Sequence, residues 1–255
     1  MKLLRRNPRE PGGTMTIVEH LQELRYRLVW SIAAIGVGSI VGWALFDRIL
    51  TRLREPYCRA ISVLPPGSRP PTGCRLVFAG PVEPFVIKLK VVLFVGLALA
   101  LPIVLFQFWR FVTPGLTRRE RRLAIPFVAS SVALFVLGGW FAYLTLPRGL
   151  EFLLGFAGPG TVPLLTAGRY IGFVLLLTLA FGLAFEFPLV LIFLALVGVT
   201  SSKALRSWRP YAVLTIAIAA AVITPSQDPY TMLMMMLPMV VFYEIAILVI
   251  RLMKR

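Results

Sequence analysis

Residues 170–199 read YIGFVLLLTLAFGLAFEFPLVLIFLALVGV, and this stretch places the chain in a membrane. A helix of this length rises about 45 Å, which exceeds the ~30 Å hydrocarbon core of a bilayer. Glu186 would lie about 24 Å along that helix, well inside the membrane. A carboxylate at that depth costs at least ~2.5 kcal/mol on insertion scales. Glu186 therefore requires protonation, a partner, a water-filled cavity or a function that compensates for this cost.

The composition of the whole chain agrees with a membrane location. Of the 255 residues, 58% are hydrophobic and only 15% are charged, which is more apolar surface than a soluble domain could bury. The net charge of +16 would suggest nucleic acid in a soluble protein. Here the basic residues lie mostly between apolar runs, and no aromatic–basic surface pattern supports nucleic-acid binding. The composition predicts one polytopic membrane domain.

Six apolar runs predict six transmembrane helices. A polar tail over residues 1–15 precedes the membrane domain of residues 16–255. Thr16 and Glu19 form a capping box, which predicts the start of an amphipathic interfacial helix. We expect an all-α bundle with both termini on the inner side, because most Lys and Arg residues then lie inside. The predicted spans are residues 28–46, 86–108, 123–146, 170–199, 211–223 and 230–250.

The connections and the fifth span have features of their own. Residues 47–84, rich in Pro, Gly and Arg, are predicted to form a polar outer loop, and residues 147–169 a second loop. Cys58 and Cys74 lie in the first outer loop, where an oxidising compartment permits a disulfide, and two free thiols are the alternative. Residues 211–223 give only ~20 Å of helix, so the fifth span would thin the bilayer around it.

The residue types argue against most enzyme classes. His20 is the only histidine, which leaves little room for His-dependent triads or His-ligated metals. The chain also lacks the sequence patterns of serine esterases, zinc proteases, dinucleotide-binding folds and P-loops. We therefore predict a protein that is not an enzyme and that holds no metal or cofactor.

Among the acidic residues, only Glu186 lacks a simple structural explanation. Glu23 can pair with the arginine four residues later, and Glu120 completes a capping box among four arginines. Asp228 fits a turn or a helix N-cap, and Glu244 can reach the membrane interface by snorkelling. An acid inside the membrane is a functional-site hypothesis by default, with a protonated packing residue as the alternative for Glu186.

Several short motifs, in order along the chain, resemble one known family. They are EHLQELRYRL (19–28), PVEPF (81–85), FQFWRFVTPGL (106–116), ERR (120–122), FGLAFEFP (181–188), RPY (209–211), TP (224–225) with Asp228, and YE (243–244). From about residue 16 to residue 251, the chain is similar to TatC, the multispanning receptor subunit of the twin-arginine protein translocase. The cysteine-bearing outer loop and the spacing between TP and Asp228 depart from the family pattern.

This resemblance implies a ligand and a role for several residues. It implies a concave, glove-like bundle that binds the twin-arginine signal peptides of folded proteins. Glu23 and Glu120 match the acids that recognise the arginine pair, and Arg25 and Phe111 match residues of the same surface. Glu186 matches the polar residue of a membrane cavity that faces the signal peptide or a partner helix.

The resemblance also implies partners and a location. TatC-type proteins lie in the cytoplasmic (inner) membrane and associate with single-span TatA and TatB proteins, chiefly along the fifth and sixth spans. We also expect self-association in a receptor complex. Pro56, Asp228 and Glu244 are interpreted as partner-binding or structural positions.

Two alternatives to this reading remain. One is a small secondary transporter in which Glu186 binds a proton or cation, although the chain shows no internal repeat of the kind typical of that class. The other is a purely structural membrane scaffold.

Overall fold

The computed structural model describes residues 17–112, 124–156, 162–225 and 228–253. Within these ranges the chain is almost entirely helical, with one short 3-10 helix (Pro66–Ser68) and one isolated bridge between Val77 and Thr166. The predicted all-α polytopic fold is confirmed. The helices are α1 (Ile17–Ala44), α2 (Phe46–Val63), α3 (Glu83–Val112), α4 (Ala124–Gly155), α5 (Ala167–Phe185), α6 (Phe187–Leu196), α7 (Ser202–Ser207), α8 (Arg209–Ile223) and α9 (Pro229–Leu252).

Five stretches of the described chain are long and apolar enough to cross a bilayer, and α8 is a shorter apolar helix. The five are α1, α3, α4, the combined α5 and α6, and α9. The predicted interfacial helix and first span form one continuous helix, α1, because no proline interrupts its sequence. The 15 residues of α8 rise about 22 Å, so the segment predicted as a short fifth span is a short apolar helix.

The prediction that residues 47–84 form a loop is wrong for the first half of that segment, which is α2. Tyr57, Ala60 and Ile61 recur at helical spacing and are buried, which gives α2 one apolar face. Pro56 lies inside α2 and cannot donate to the carbonyl of Arg52. The hydroxyl of Tyr143 on α4 donates to that carbonyl instead, at 3.1 Å. A contact distant in sequence thus allows a proline within this helix.

The prediction that a loop begins at residue 147 is also wrong, because α4 continues to Gly155. Leu146 and Leu150 are buried one turn apart on either side of Pro147. Gly149 lies where an added Cβ would come within 3.0 Å of the Thr231 side chain. Close packing against α9 therefore extends α4 through its proline and into the outer part of the molecule.

The outer segment between α2 and α3 is bound to α2 and to the start of α5. A disulfide joins Cys58 of α2 to Cys74, with Cα atoms 5.0 Å apart. The Ala167 amide at the start of α5 donates to the Val77 carbonyl at 2.8 Å. Glu83 then accepts a hydrogen bond of 2.5 Å from the amide of Gly168. These bonds hold the segment in place over the outer side of the bundle.

The helices pack closely where glycines face one another. A Cβ added to Gly96 of α3 would come within 2.7 Å of the Ile35 carbonyl of α1, and one added to Gly138 of α4 within 2.6 Å of the Phe181 carbonyl. α5 lies at the centre of the core, with residues such as Ile171 and Phe181 fully buried. The bundle is therefore organised around α5, which leads directly to Glu186.

Candidate functional site

The first group of predicted site residues lies where the inner ends of α1 and α3 meet. Glu23 and Arg27 are one turn apart on α1 and form an ion pair. Arg27 also donates from Nη1 to Oε1 of Gln107 on α3, at 3.3 Å. The side chains of Arg27 and Glu23 are only 11% and 20% exposed. The pair is thus removed from most of the solvent, which strengthens its electrostatic attraction.

The hydrogen-bonding capacity of this ion pair is only partly used. Oε1 of Glu23 accepts from Arg27, whereas Oε2 of Glu23 is buried and has no partner among the described residues. A carboxylate can accept two parallel hydrogen bonds from a guanidinium or single bonds from two donors. Oε2 is therefore an open acceptor for a further donor.

The other predicted members of this surface are placed differently. Phe111 at the end of α3 stacks on His20 of α1, with ring centroids 4.3 Å apart. Arg25 is exposed and lies two positions after Glu23, on another side of α1. Glu120 lies outside the described residues, so its position relative to Glu23 stays a prediction. The structure therefore brings Glu23 and Phe111 to the α1–α3 junction.

The second predicted site is Glu186, and here the single helix expected over residues 170–199 is wrong. α5 ends at Phe185 and α6 begins at Phe187, with Glu186 as the residue between them. Pro188 lacks an amide hydrogen, so the carbonyl four residues earlier loses its helical donor. The chain tightens locally, and the Glu186 amide bonds to the Leu183 carbonyl at 3.1 Å. The α-helix of this span is thus interrupted at Glu186, which is the one acid of the span.

The carboxylate of Glu186 faces α4. Its Oε2 atom accepts a hydrogen bond of 2.5 Å from the hydroxyl of Ser131, which is 4% exposed. Its Oε1 atom is buried and has no partner among the described residues. Like Glu23, Glu186 therefore has one oxygen with a hydrogen-bond partner and one without, but its only donor within the described ranges is a neutral hydroxyl.

The remaining predicted residues have structural partners. Asp228 is the N-cap of α9, because its Oδ1 accepts from the Thr231 amide at 2.8 Å. Glu244 accepts a hydrogen bond of 2.5 Å from Arg209, which joins the start of α8 to α9. Within the part of the chain that the structure describes, no group of three or more His, Cys, Asp or Glu could hold a metal ion.

Sequence reasoning overlooked Gln107, Ser131 and the stacking of His20 on Phe111. Both Gln107 and Ser131 are polar residues inside apolar runs, so their presence was a usable signal. Their partners could not be identified without the structure, because Gln107 is 80 residues from Arg27 and Ser131 is 55 residues from Glu186.

Comparison with known proteins identifies the family. A family model described as Sec-independent protein translocase protein (TatC) matches residues 19–238. TatC from Frankia casuarinae is 41% identical over 247 residues, which cover 96% of this chain and 68% of the relative. TatC from Aquifex aeolicus is 39% identical over 236 residues, which cover 91% of this chain and 93% of the relative.

A solved structure agrees with these relatives. The crystal structure of a twin-arginine translocase receptor, TatC, is 38% identical and superposes with a TM-score of 0.73, covering 92% of this chain and 100% of that one. None of these matches supports the transporter alternative. Because the family model covers most of its length and these relatives exceed a third in identity, the chain belongs to the TatC family.

Proposed function

We propose that this chain is the receptor subunit of a twin-arginine translocase in the cytoplasmic (inner) membrane. In this role it binds the signal peptides of folded proteins and takes part in their export. The observation that carries the proposal is Glu23, a mostly buried carboxylate at the inner side with one oxygen left open. The matching family and the solved receptor support the assignment.

The chemistry of Glu23 suits an arginine of the signal peptide. Arg27 already takes one carboxylate oxygen, and its bond to Gln107 restrains it. An incoming guanidinium could bond to Oε2 while its remaining donors bond elsewhere on the surface. The planar fork of guanidinium favours arginine over lysine at such a site. Recognition would then depend on local geometry, since Arg25 and Arg27 disfavour a second cation at long range.

The proposal assigns a second contact to Glu120 and a supporting role to Arg25 and Phe111. Glu120 matches the family's second acid, and one carboxylate for each peptide arginine would explain the requirement for a pair. Phe111, stacked on His20, would contribute an aromatic face beside Glu23. Guanidinium groups stack favourably on aromatic faces.

Glu186 is assigned a later step. It lies at a break in the middle of a membrane span, where an open carboxylate oxygen can accept from a peptide or partner helix. TatA- and TatB-type single-span proteins are the proposed partners, along α8 and α9, with self-association of the receptor. We expect Glu186 to act after the arginine pair has been bound.

Complementation of a cell that lacks its own TatC tests the proposed function. Expression of this chain should restore export of a folded reporter that carries a twin-arginine signal peptide. A reporter with two lysines in place of the arginines is the matched control and should stay inside. Failure to export the twin-arginine reporter, although the protein is inserted and its partners are present, would contradict the proposal.

A further inference from the structure

Trp109, near the inner end of α3, is the one deeply buried tryptophan of the chain. It is 3% exposed, whereas the other four tryptophans are 51–65% exposed. Its ring stacks on Phe127 of α4, with ring centroids 4.2 Å apart, and meets Phe193 of α6 edge-on at 5.4 Å. The ring centroids of Phe127 and Phe193 are themselves 6.3 Å apart. Three helices therefore meet in one aromatic cluster, with Trp109 as its buried member.

The two faces of this part of α3 have different partners. Gln107 and Phe111 lie one turn apart on the face toward α1. There they contact Arg27 and His20 of α1, respectively. Trp109 lies midway between them in sequence, and at about 100° per residue its side chain points roughly the opposite way, toward α4 and α6. Five consecutive residues of one helix thus contact the α1–α3 junction on one face and the aromatic cluster on the other.

The aromatic cluster adjoins the contact that holds Glu186. Phe127 precedes Ser131 by one turn on α4, and Phe193 follows Glu186 by two turns on the same side of α6. The two pairs run in opposite sequence order, so they form successive layers between two antiparallel segments. One layer is the pair of phenylalanine rings, and the next is the hydrogen bond of 2.5 Å from Ser131 to Glu186. The Trp109 ring therefore sets the spacing of α4 and α6 beside this hydrogen bond.

The indole nitrogen of Trp109 is a donor that the observed packing leaves unused. Nε1 is buried and finds no acceptor within the described parts of the chain. A buried donor without an acceptor disfavours the arrangement in which it lies. A small shift of α3 that gave Nε1 an acceptor would offset part of the cost of that shift. Packed helix interfaces change between discrete arrangements rather than continuously, so a second arrangement of this cluster is physically reasonable.

We propose that Trp109 is a positioning residue for Glu186 and transmits signal-peptide binding to it. A peptide arginine at Glu23 shares the carboxylate with Arg27, whose bond to Gln107 anchors the inner end of α3. The resulting shift of α3 moves the Trp109 ring between α4 and α6 and alters their spacing at the Glu186 carboxylate. This inference rests on the proposed function and adds a cause to its order of events, since Glu186 becomes available once the arginine pair is bound.

Substitution of Trp109 should separate recognition from export. Trp109→Leu removes the aromatic contacts, so we expect export of a folded twin-arginine reporter, per inserted protein, to fall between about 2- and 30-fold. The affinity of the purified protein for the twin-arginine signal peptide should not fall. Trp109→Phe keeps a ring in the cluster and should recover most of the export. Trp140→Leu, at an exposed position of α4, is the matched control and should change neither value.

A double-mutant cycle in the full chain distinguishes positioning of Glu186 from a general loss of stability. If Trp109 acts through Glu186, Trp109→Leu should cause little further loss of export in a Glu186→Gln background, because residues that act as one unit are not additive. Losses that multiply in the double variant would overturn the proposal. Undiminished export by Trp109→Leu, or a loss of peptide affinity as large as the loss of export, would overturn it as well.

The fluorescence of Trp109 supplies a second readout that needs no substitution at this position. In a variant that retains only Trp109, with the other four tryptophans changed to phenylalanine, a tryptophan-free twin-arginine peptide should change the indole emission along its binding curve. A variant that retains only Trp140 should show no change. A peptide that binds by calorimetry without changing the Trp109 emission would overturn the coupling. A peptide that does not bind would instead contradict the proposed function itself.

Discussion

Among the residues that the structure describes, Glu23 and Glu186 are the two acids with a buried carboxylate oxygen that lacks a hydrogen-bond partner, and they differ in the partner of the other oxygen. Glu23 is held by the guanidinium of Arg27, which in turn donates to the side-chain amide of Gln107 on α3. Glu186 is held by a single serine hydroxyl of the facing helix. The charge of Glu23 is therefore balanced by Arg27, whereas Glu186 depends on the neutral hydroxyl of Ser131.

This difference separates two roles for the same functional group. A carboxylate that is held by one guanidinium can accept from a second one through its other oxygen, which suits recognition of arginine. A carboxylate at a helix break in an apolar span is costly wherever no polar partner reaches it. A carboxylate in the position of Glu186 therefore suits a contact that forms when a peptide or a partner helix enters the membrane.

The largest effect is expected from Arg27→Gln. This substitution leaves the mostly buried Glu23 carboxylate without its cation, which should reduce the free energy of unfolding by about 3 kcal/mol. Thermal unfolding of the purified protein in detergent measures the change. Arg59→Gln, which removes an exposed partner of Glu55, is the control and should cost less than ~1 kcal/mol. Similar losses in both variants would contradict a special role for the inner pair.

An intermediate effect is expected from Glu186→Gln, and only in export. Glutamine keeps an acceptor for Ser131 but places an amide NH2 group where the second carboxylate oxygen would accept, and a buried donor that is left without its acceptor costs about 1–3 kcal/mol. Export of a folded twin-arginine reporter should fall roughly tenfold or more, while the affinity for the signal peptide stays unchanged. Thr178→Val is the control, because the Thr178 hydroxyl donates to the Val174 carbonyl of its own helix. Unimpaired export would favour the purely structural reading of Glu186.

The smallest effect is expected from Ser131→Ala. It removes the hydroxyl that donates to Glu186, so we expect a loss of about 1 kcal/mol in the free energy of unfolding. Ser130→Ala, at the exposed neighbouring position, should cause no measurable loss. If the two alanine variants were equally stable, the Ser131–Glu186 bond would contribute nothing to holding α4 against α5.

The sequence was sufficient for features that depend on local patterns. The apolar runs indicated the spans, the short run before Thr224 indicated α8, and Asp228 was interpreted as a turn or cap residue, which it is. The break at Glu186 was missed although its local cause, Pro188, was visible. In a membrane span, proline does not always end the helix, as Pro102 inside α3 shows.

Features that depend on distant contacts could not be predicted from the sequence. α2 contains Pro56 and several arginines, a composition typical of a loop. The Arg52 carbonyl that Pro56 cannot serve is bonded by Tyr143, which lies 91 positions away from Arg52. The continuation of α4 past Pro147 depends on packing against α9. The same holds for the restraint of Glu23, since Gln107 belongs to another helix.

The central claim is that the open oxygen of Glu23 selects arginine, and the affinity of purified full-length protein for signal peptides tests it most directly. Binding of a twin-arginine peptide and its twin-lysine analogue is measured for the wild type, Glu23→Gln and Glu186→Gln. We expect Glu23→Gln to weaken binding of the twin-arginine peptide by ~10- to 100-fold and to reduce its advantage over the lysine analogue. Glu186→Gln should change neither value. Undiminished discrimination by Glu23→Gln, or an equal loss in Glu186→Gln, would contradict the account.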